Sequence, residues 1–212
     1  MKIFLISMSF LLSFFSGPTY AEITEGQEYQ LIRGIPDEKI DGAVQVYEFF
    51  NYACGHCYDF QPVIKSWADN PPKGVRFNYM PAIFNERMVP LAKLYFTIEE
   101  MGLLGSLHQK VYDAIHRDGV TLPSDESILA WVAKSGVDAK KFEKKYSSFG
   151  VGNKARMAMQ LTRKYRIPGT PYVTVGGKYL TGPSMTLRAD RSGIDSVKFI
   201  ATLNMLVEMS GK

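Results

Sequence analysis

The sequence predicts an α/β protein in which a long helical segment interrupts a small β-sheet. Three observations lead to this fold class. Residues 44–51 form an apolar, aromatic run of the kind that lies buried at the centre of a sheet. Residues 85–165 change to helical periodicity, with apolar side chains recurring every three or four positions. Two short strand patterns, 172–175 and 178–181, then flank a Gly-Gly pair, which predicts a hairpin turn.

The remaining elements follow in chain order. A weaker strand is predicted at 29–33, ahead of the central one. A helix is predicted over 54–68, and the segment 70–74, which contains proline and glycine, ends it. Alternating residues at 75–80 predict a further strand. An amphipathic pattern over 194–207 predicts a closing helix.

Local capping signals and element order together divide the chain. Ser124 before two acidic residues predicts a helix start, and Asp138 predicts the start of the next helix. The predicted order is strand–helix–strand, then a helical insertion, then strand–strand–helix. We therefore predict a first sheet-containing part at 22–84, an all-helical insertion at 85–165 and a second sheet-containing part at 166–212.

The first 21 residues have the pattern of a cleaved secretory signal. Lys2 precedes an apolar core at 3–15, and small residues lead to Ala21, after which cleavage is expected. The apolar core is too short to span a bilayer. Secretion would place the mature protein in an oxidising compartment, where thiols and disulfides exchange.

Composition argues against a nucleic-acid partner. The formal charge is +4, and removal of Lys2 with the leader leaves +3, since the leader carries no acidic residue. This charge is mild and no basic run concentrates it. A hydrophobic content of 46% is ordinary for one globular core, and no second apolar span follows the leader.

The only two cysteines, Cys54 and Cys57, form a C-x-x-C motif at the end of the central strand. Haem attachment would need histidine at the next position, which is Tyr58. Structural zinc would have to use His108 and His116, whose spacing of eight does not suit a zinc finger. A structural disulfide across so short a loop would contribute only about 2 kcal/mol. Thiol–disulfide exchange is the remaining use.

The position of Cys54 favours its thiolate. At a helix N-terminus, unpaired backbone N–H groups and the positive end of the helix dipole stabilise a negative charge. Protonated His56 would add a nearby cation. A fall in pKa from about 8.5 to about 6 would make Cys54 mostly thiolate at pH 7. The alternative for His56 is an ordinary solvated loop imidazole.

Several segments of the chain together carry a family resemblance. They are Glu48-Phe49-Phe50, Cys54-Gly55-His56-Cys57, Tyr58-Asp59-Phe60, the helical block, and Gly169-Thr170-Pro171 before Tyr172-Val173. With these segments the chain resembles the periplasmic DsbA-type thiol:disulfide oxidoreductases along essentially its whole mature length. The resemblance implies a thioredoxin fold with an inserted all-helical domain.

The resemblance also implies roles for residues outside the motif. Glu48 lies inside an apolar strand, where its pKa should be raised, and it would pass a proton to or from Cys57. The alternative is a partly exposed carboxylate paired with a lysine. Thr170 and Pro171 would form a cis peptide facing Cys54 and bind substrate backbone. Without the resemblance, Pro171 is an ordinary trans residue that opens a strand.

The resemblance implies partners as well as residues. Substrates would be reduced or unfolded secreted polypeptides, and a DsbB-like membrane quinone reductase would re-oxidise the protein in the periplasm. The Cys54–Cys57 disulfide would serve as the redox centre without a further cofactor or a metal, and the protein would not be membrane-embedded.

Two departures from the family's commonest pattern leave alternative functions open. Gly55-His56 between the cysteines and Thr170 before the proline are both similar to disulfide isomerases, which makes an isomerase or reductase the second hypothesis. Known bacterial isomerases of this fold have a separate N-terminal dimerisation domain. Only about twenty mature residues precede Val44, which is too few for such a domain. A non-catalytic binding module is the third hypothesis, disfavoured by the intact cysteine pair.

Overall fold

A mixed β-sheet forms the centre of the fold in the computed structural model, which describes residues 23–35 and 38–211. The predicted signal peptide at 1–21 lies outside the described residues. The strands are β1 Gln30–Leu31, β2 Lys39–Ile40, β3 Ala43–Phe50, β4 Val75–Pro81, β5 Tyr172–Val175 and β6 Tyr179–Thr181. The helices are α1 Gly55–Ala68, α2 Val89–Glu100, α3 Leu104–His116, α4 Asp125–Ala133, α5 Ala139–Tyr146, α6 Phe149–Lys164 and α7 Ser196–Gly211.

Strand β3 occupies the middle of the sheet, as its apolar sequence predicts. It pairs in parallel with β4 and antiparallel with β5, and β5 continues antiparallel to β6. The β3–α1–β4 unit and the β5–β6–α7 unit therefore share one sheet, which confirms the predicted α/β fold class. The register places Glu48 between Tyr79 on one side and Val173 on the other.

Two edge features differ from the sequence prediction. The strand predicted at 29–33 is only two residues long, Gln30–Leu31, and it pairs with β6. Strand β2, Lys39–Ile40, was not predicted; it forms a short antiparallel ladder with the start of β3. Both strands are exposed and too short to show the alternation by which a sequence indicates a strand.

The predicted helical segment contains helices α2 to α6, between β4 and β5. Both predicted helix starts are confirmed: the Ser124 side chain accepts a hydrogen bond from the Ser127 N–H, and Asp138 accepts one from the Lys141 N–H. The division of the chain at 85 and 165 into separate folding units stays a prediction. Among the described residues, no helix combines the length and the apolar character needed to cross a membrane.

The predicted hairpin turn between β5 and β6 is also confirmed. Val175 pairs with Tyr179, so Lys178, predicted to begin the second strand, belongs to a three-residue turn with Gly176 and Gly177. The two glycines have positive φ angles, 59° and 73°, as a tight hairpin turn requires. A Cβ on Gly176 would lie 2.8 Å from the Ser210 Oγ on α7. Glycine at this position therefore serves both the turn and the close packing of the last helix on the sheet.

The core brings the helical segment into contact with the cysteine motif. One buried cluster contains Phe50, Tyr52 and Cys57 together with apolar residues from α2, α3, α4, α5 and α6. A second cluster packs α1 and α7 against the face of β3 that carries Val44 and Val46. The end of β3 and the start of α1 are thus the place where the two clusters meet.

Candidate active site

Cys54 is the N-cap residue of α1, as the sequence predicts. Its backbone is extended, with φ −92° and ψ 115°. Its N–H donates to the Asn51 carbonyl at 3.0 Å, and its carbonyl accepts from the N–H groups of Cys57 and Tyr58, both at 3.1 Å. Both cysteines are free thiols in the structure; Cys54 is partly exposed and Cys57 is buried. Only Cys54 therefore presents its sulfur to an incoming thiol.

The environment separates the pKa values of the two thiols. The hydrogen bond from the Cys57 thiol lowers the pKa of Cys54 most, to about 5; partial burial opposes the shift, and a hydrogen bond with the Thr170 side chain supports it. Burial, followed by the hydrogen bond to Cys54, raises the pKa of Cys57 well above that of an ordinary thiol. Cys54 is thus almost entirely thiolate at pH 7, and Cys57 stays protonated.

His56 acts on Cys54 through its backbone in this structure. Its N–H forms one of the hydrogen bonds that lower the pKa of Cys54, together with the N–H of Cys57. The His56 N–H is one of the donors that a helix N-terminus leaves without an intrahelical partner, whereas the Cys57 N–H also donates to the Cys54 carbonyl. The His56 side chain is exposed, and the predicted effect of its imidazole charge on Cys54 stays a prediction.

Replacing His56 with alanine tests that effect, because the variant keeps the backbone N–H and removes only the imidazole. We expect the pKa of Cys54 to rise by about 0.5, since an exposed charge pair contributes only about 0.2–1 kcal/mol. Thiolate absorbance near 240 nm, followed across pH, gives this value. An unchanged titration in a folded variant would show that the imidazole does not contribute.

Glu48 is buried beneath the cysteine motif, as predicted. It is 1% exposed, and its Oε2 has no hydrogen-bond partner among the described residues. Burial first, and the negative charge of Cys54 second, raise the pKa of Glu48 to about 8. The alternative of a partly exposed carboxylate paired with lysine is therefore wrong. Glu48 is mostly protonated at pH 7 and able to exchange a proton in the neutral range.

The predicted cis peptide is present between Thr170 and Pro171. The Cys54 thiol lies next to it, with Sγ 3.4 Å from the Thr170 carbonyl oxygen. Thr170 therefore contacts the Cys54 sulfur through its backbone carbonyl. The contact joins positions 116 residues apart, so only the fold brings them together.

Two depressions flank Cys54 and the cis peptide. A groove of about 610 Å³ extends from Pro171 to the loop before α7, where Leu187 and Ile194 provide apolar walls. A smaller depression of about 230 Å³ contains Cys54 itself and reaches Arg87 on the other side. Sequence reasoning missed Leu187 and Arg87, which lie in a loop and in a short 3-10 helix without a motif, and it placed Ile194 in the closing helix, which begins only at Ser196.

His108 and His116, considered above as possible zinc ligands, both lie on α3 and contact Tyr52 instead. The Tyr52 hydroxyl is 2.7 Å from His108 Nδ1, and His116 Nε2 is 2.8 Å from the Tyr52 carbonyl oxygen. Within residues 23–35 and 38–211, no group of three or more His, Cys, Asp or Glu side chains is arranged to hold a metal ion. In the sequence, the one sign that His108 and His116 face the same side of a helix was their spacing of eight residues, about two helical turns.

The fold and this site together define a class of protein. A dithiol at a helix N-terminus, with one acidic thiol opposite a cis-proline in a thioredoxin-like fold, is a thiol:disulfide exchange centre. The family comparison agrees: a family model, the DSBA-like thioredoxin domain, matches residues 73–191. The chain belongs to the DsbA family and is a thiol:disulfide oxidoreductase. The matched segment begins after the cysteine motif, so the family match and the Cys54–Cys57 geometry are separate observations.

Relatives and solved structures cover most of the chain. The thiol:disulfide interchange protein DsbA of Azotobacter vinelandii is 36% identical over 79% of this chain and 81% of its own length. The protein of the same name from Pseudomonas aeruginosa PAO1 is 32% identical over 88% and 92%. The crystal structure of Pseudomonas aeruginosa DsbA superposes with a TM-score of 0.79 at 29% identity, covering 88% of this chain and 94% of that one. NmDsbA1 from Neisseria meningitidis superposes with a TM-score of 0.75 at 26% identity, covering 90% and 95%.

Proposed function

We propose that the protein works as a dithiol oxidase that forms disulfide bonds in secreted polypeptides. The observation that supports this direction is the low pKa of Cys54, about 5. Hydrogen bonds that stabilise the Cys54 thiolate stabilise the reduced protein, and a stable reduced form makes the disulfide a stronger oxidant. The oxidised protein therefore tends to accept two electrons from substrate thiols.

The proposed reaction has two exchanges. A substrate thiolate attacks Cys54 Sγ, the Cys54–Cys57 bond breaks, and Cys57 leaves and takes up a proton. A second substrate thiolate then attacks the substrate sulfur of the mixed disulfide, and Cys54 leaves as a thiolate. The substrate is oxidised to a disulfide and the protein is reduced to the dithiol, so the two sulfur pairs exchange one pair of electrons.

Five of the six predicted site residues, all except His56, have a part in this proposal. Cys54 forms the mixed disulfide because it is the accessible sulfur of low pKa, and Cys57 is the buried leaving thiol. Glu48, mostly protonated at pH 7, supplies the proton that Cys57 takes up. Thr170 and Pro171 hold the substrate backbone beside Cys54.

The cellular setting belongs to the same proposal. The secretory pattern of the first 21 residues and the family both support a periplasmic location for the mature protein. Its substrates are reduced or unfolded secreted polypeptides, and a DsbB-like membrane quinone reductase restores the Cys54–Cys57 disulfide. Apart from this disulfide, the proposed reaction uses no cofactor.

The redox state in the periplasm separates oxidase from isomerase, because an isomerase must be reduced to work. We expect alkylation-shift gels to show Cys54 and Cys57 mostly oxidised, and the purified oxidised protein to oxidise a reduced peptide faster than the reduced protein repairs scrambled ribonuclease. The reduction potential of the Cys54–Cys57 disulfide, measured in glutathione buffers, should be less negative than that of glutathione. A mainly reduced protein with strong repair activity would instead support the isomerase.

A further inference from the structure

Tyr52 is held at both its backbone and its side chain by one helix. It lies two residues before Cys54 and is 1% exposed. His116 Nε2 donates to the Tyr52 carbonyl oxygen at 2.8 Å, and the Tyr52 hydroxyl is 2.7 Å from His108 Nδ1. Both histidines belong to α3, so the helical segment contacts the turn before Cys54 at two points.

The contact to the Tyr52 carbonyl does not depend on the charge of His116. A carbonyl oxygen only accepts, so His116 Nε2 carries a hydrogen in the neutral and in the charged ring. The same ring stacks on Tyr58, with centroids 5.1 Å apart and an interplanar angle of 20°. Because Tyr58 directly follows Cys57, His116 contacts the chain on both sides of the cysteine motif.

The contact to the Tyr52 hydroxyl is buried and joins two neutral groups. Burial, with a smaller effect of the Lys65 charge, lowers the pKa of His108 to about 4, so the ring is neutral at pH 7. Aromatic rings surround the pair; the Tyr52 ring lies 5.2 Å from that of Phe50 and 5.0 Å from that of Tyr112. A hydrogen bond excluded from water in this way holds its partners in one geometry.

We propose that Tyr52 is the positioning residue through which α3 sets the orientation of the Cys54 thiol. Tyr52 lies in the turn between Asn51 and Cys54, which two hydrogen bonds close. The Asn51 carbonyl accepts from the Cys54 N–H at 3.0 Å, and the Asn51 side chain accepts from the Ala53 N–H at 2.8 Å. The inference rests on the proposed role of Cys54 as the attacking thiol.

Displacement of this turn would act on the chemistry because the contacts of Cys54 are weak and directional. Hydrogen bonds lose strength steeply as distance and angle become worse. The donors that lower the pKa of Cys54, the Cys57 thiol first and the backbone N–H groups of Cys57 and His56 after it, act only while the Cys54 sulfur faces them. A freer Tyr52 should therefore move the pKa of Cys54 upward, toward that of an ordinary thiol.

The Tyr52→Phe variant tests the inference, because it keeps the buried ring and removes only the hydroxyl. We expect the pKa of Cys54 to rise by about 0.5–1, equivalent to a threefold to tenfold change in the thiolate equilibrium. Peptide oxidation should slow by a similar factor. Tyr95→Phe is the matched control: Tyr95 is 1% exposed in the same cluster, and its hydroxyl donates to Glu99 at 3.2 Å, away from the turn.

Both variants should lower the melting temperature, since each loses one hydrogen bond, but only Tyr52→Phe should change the Cys54 titration. Equal titrations in Tyr52→Phe and Tyr95→Phe would overturn the inference and leave Tyr52 a structural residue only. Wild-type protein that fails to oxidise the peptide would instead contradict the proposed function, whatever the variants do.

A second pair of variants keeps the test decisive if Tyr52→Phe does not fold. His116→Phe retains a ring against Tyr58 and loses the donor to the Tyr52 carbonyl, so the pKa of Cys54 should rise. His116→Gln supplies an amide donor of similar reach and should restore part of the wild-type value. A titration that is the same in both variants and in the wild type would also overturn the inference.

Discussion

Replacement of Cys57 by serine is expected to trap substrate proteins as mixed disulfides with Cys54, whereas replacement of Cys54 by serine is expected to abolish trapping and turnover. The reason is the separation of the two thiols: Cys54 is accessible with a pKa of about 5, and Cys57 is buried with a raised pKa. Serine cannot form a disulfide, so the loss in Cys54→Ser is complete rather than partial.

Non-reducing gels of both variants, each expressed in the periplasm, measure the trapped species. The Cys54→Ser/Cys57→Ser double variant is the background control, because it keeps the fold and has no thiol. Cys57→Ser keeps a hydroxyl donor in place of the thiol that lowers the pKa of Cys54 most, so Cys54 should stay a thiolate at pH 7 in this variant. Equal trapping by both single variants would contradict the assignment of Cys54 as the attacking thiol.

The Glu48→Gln variant is expected to slow thiol exchange about 100-fold near pH 7, at the lower end of what a general acid or base contributes. The amide has nearly the same shape as the carboxyl group but cannot pass a proton. The wild-type rate should follow the ionisation of Glu48 near pH 8, and the variant should lose that dependence. Stopped-flow measurement of peptide oxidation from pH 6 to pH 9 tests both statements.

Stability should respond to Glu48 with a definite sign. The folded pKa of about 8 lies above the ordinary value of 4.5, so the folded protein binds the proton more tightly than the unfolded chain. The free energy of unfolding should therefore fall as the pH rises from about 4.5 to about 8, by up to about 3 kcal/mol at pH 7. Glu48→Gln should remove this dependence and keep the protein folded. Urea unfolding at several pH values measures it.

Glu28 provides the matched control for Glu48. It is also buried, but despite its burial the ion pair with Lys198 keeps its pKa lowered, and it lies outside the cysteine site. Its contribution to stability should therefore be present at neutral pH and lost as the pH falls below its ordinary value. Glu28→Gln should weaken the fold at pH 7 and leave the exchange rate unchanged. An equal loss of rate in both variants would remove Glu48 from the mechanism.

The sequence by itself determined those strands, turns and helix ends that are set by residues close together in the chain. The apolar run ending at Phe50 predicted a central strand, and Cys54 after it predicted a thiol at a helix N-terminus, because strand burial and helix capping are set by a few consecutive side chains. The hairpin at Gly176 and the cap at Asp138 were predictable for the same reason.

Only the tertiary structure decided which distant groups act on the thiols. The contact of Cys54 with Thr170 and the two histidine contacts to Tyr52 join positions 56 to 116 residues apart, and no local pattern encodes such pairs. Burial of Glu48 was predictable, but the absence of a partner for its Oε2 among the described residues depends on what other elements bring near it. The sequence thus determined that a dithiol stands at the end of a buried strand, and packing decided how acidic each thiol is, because pKa values depend on solvation and charge in three dimensions.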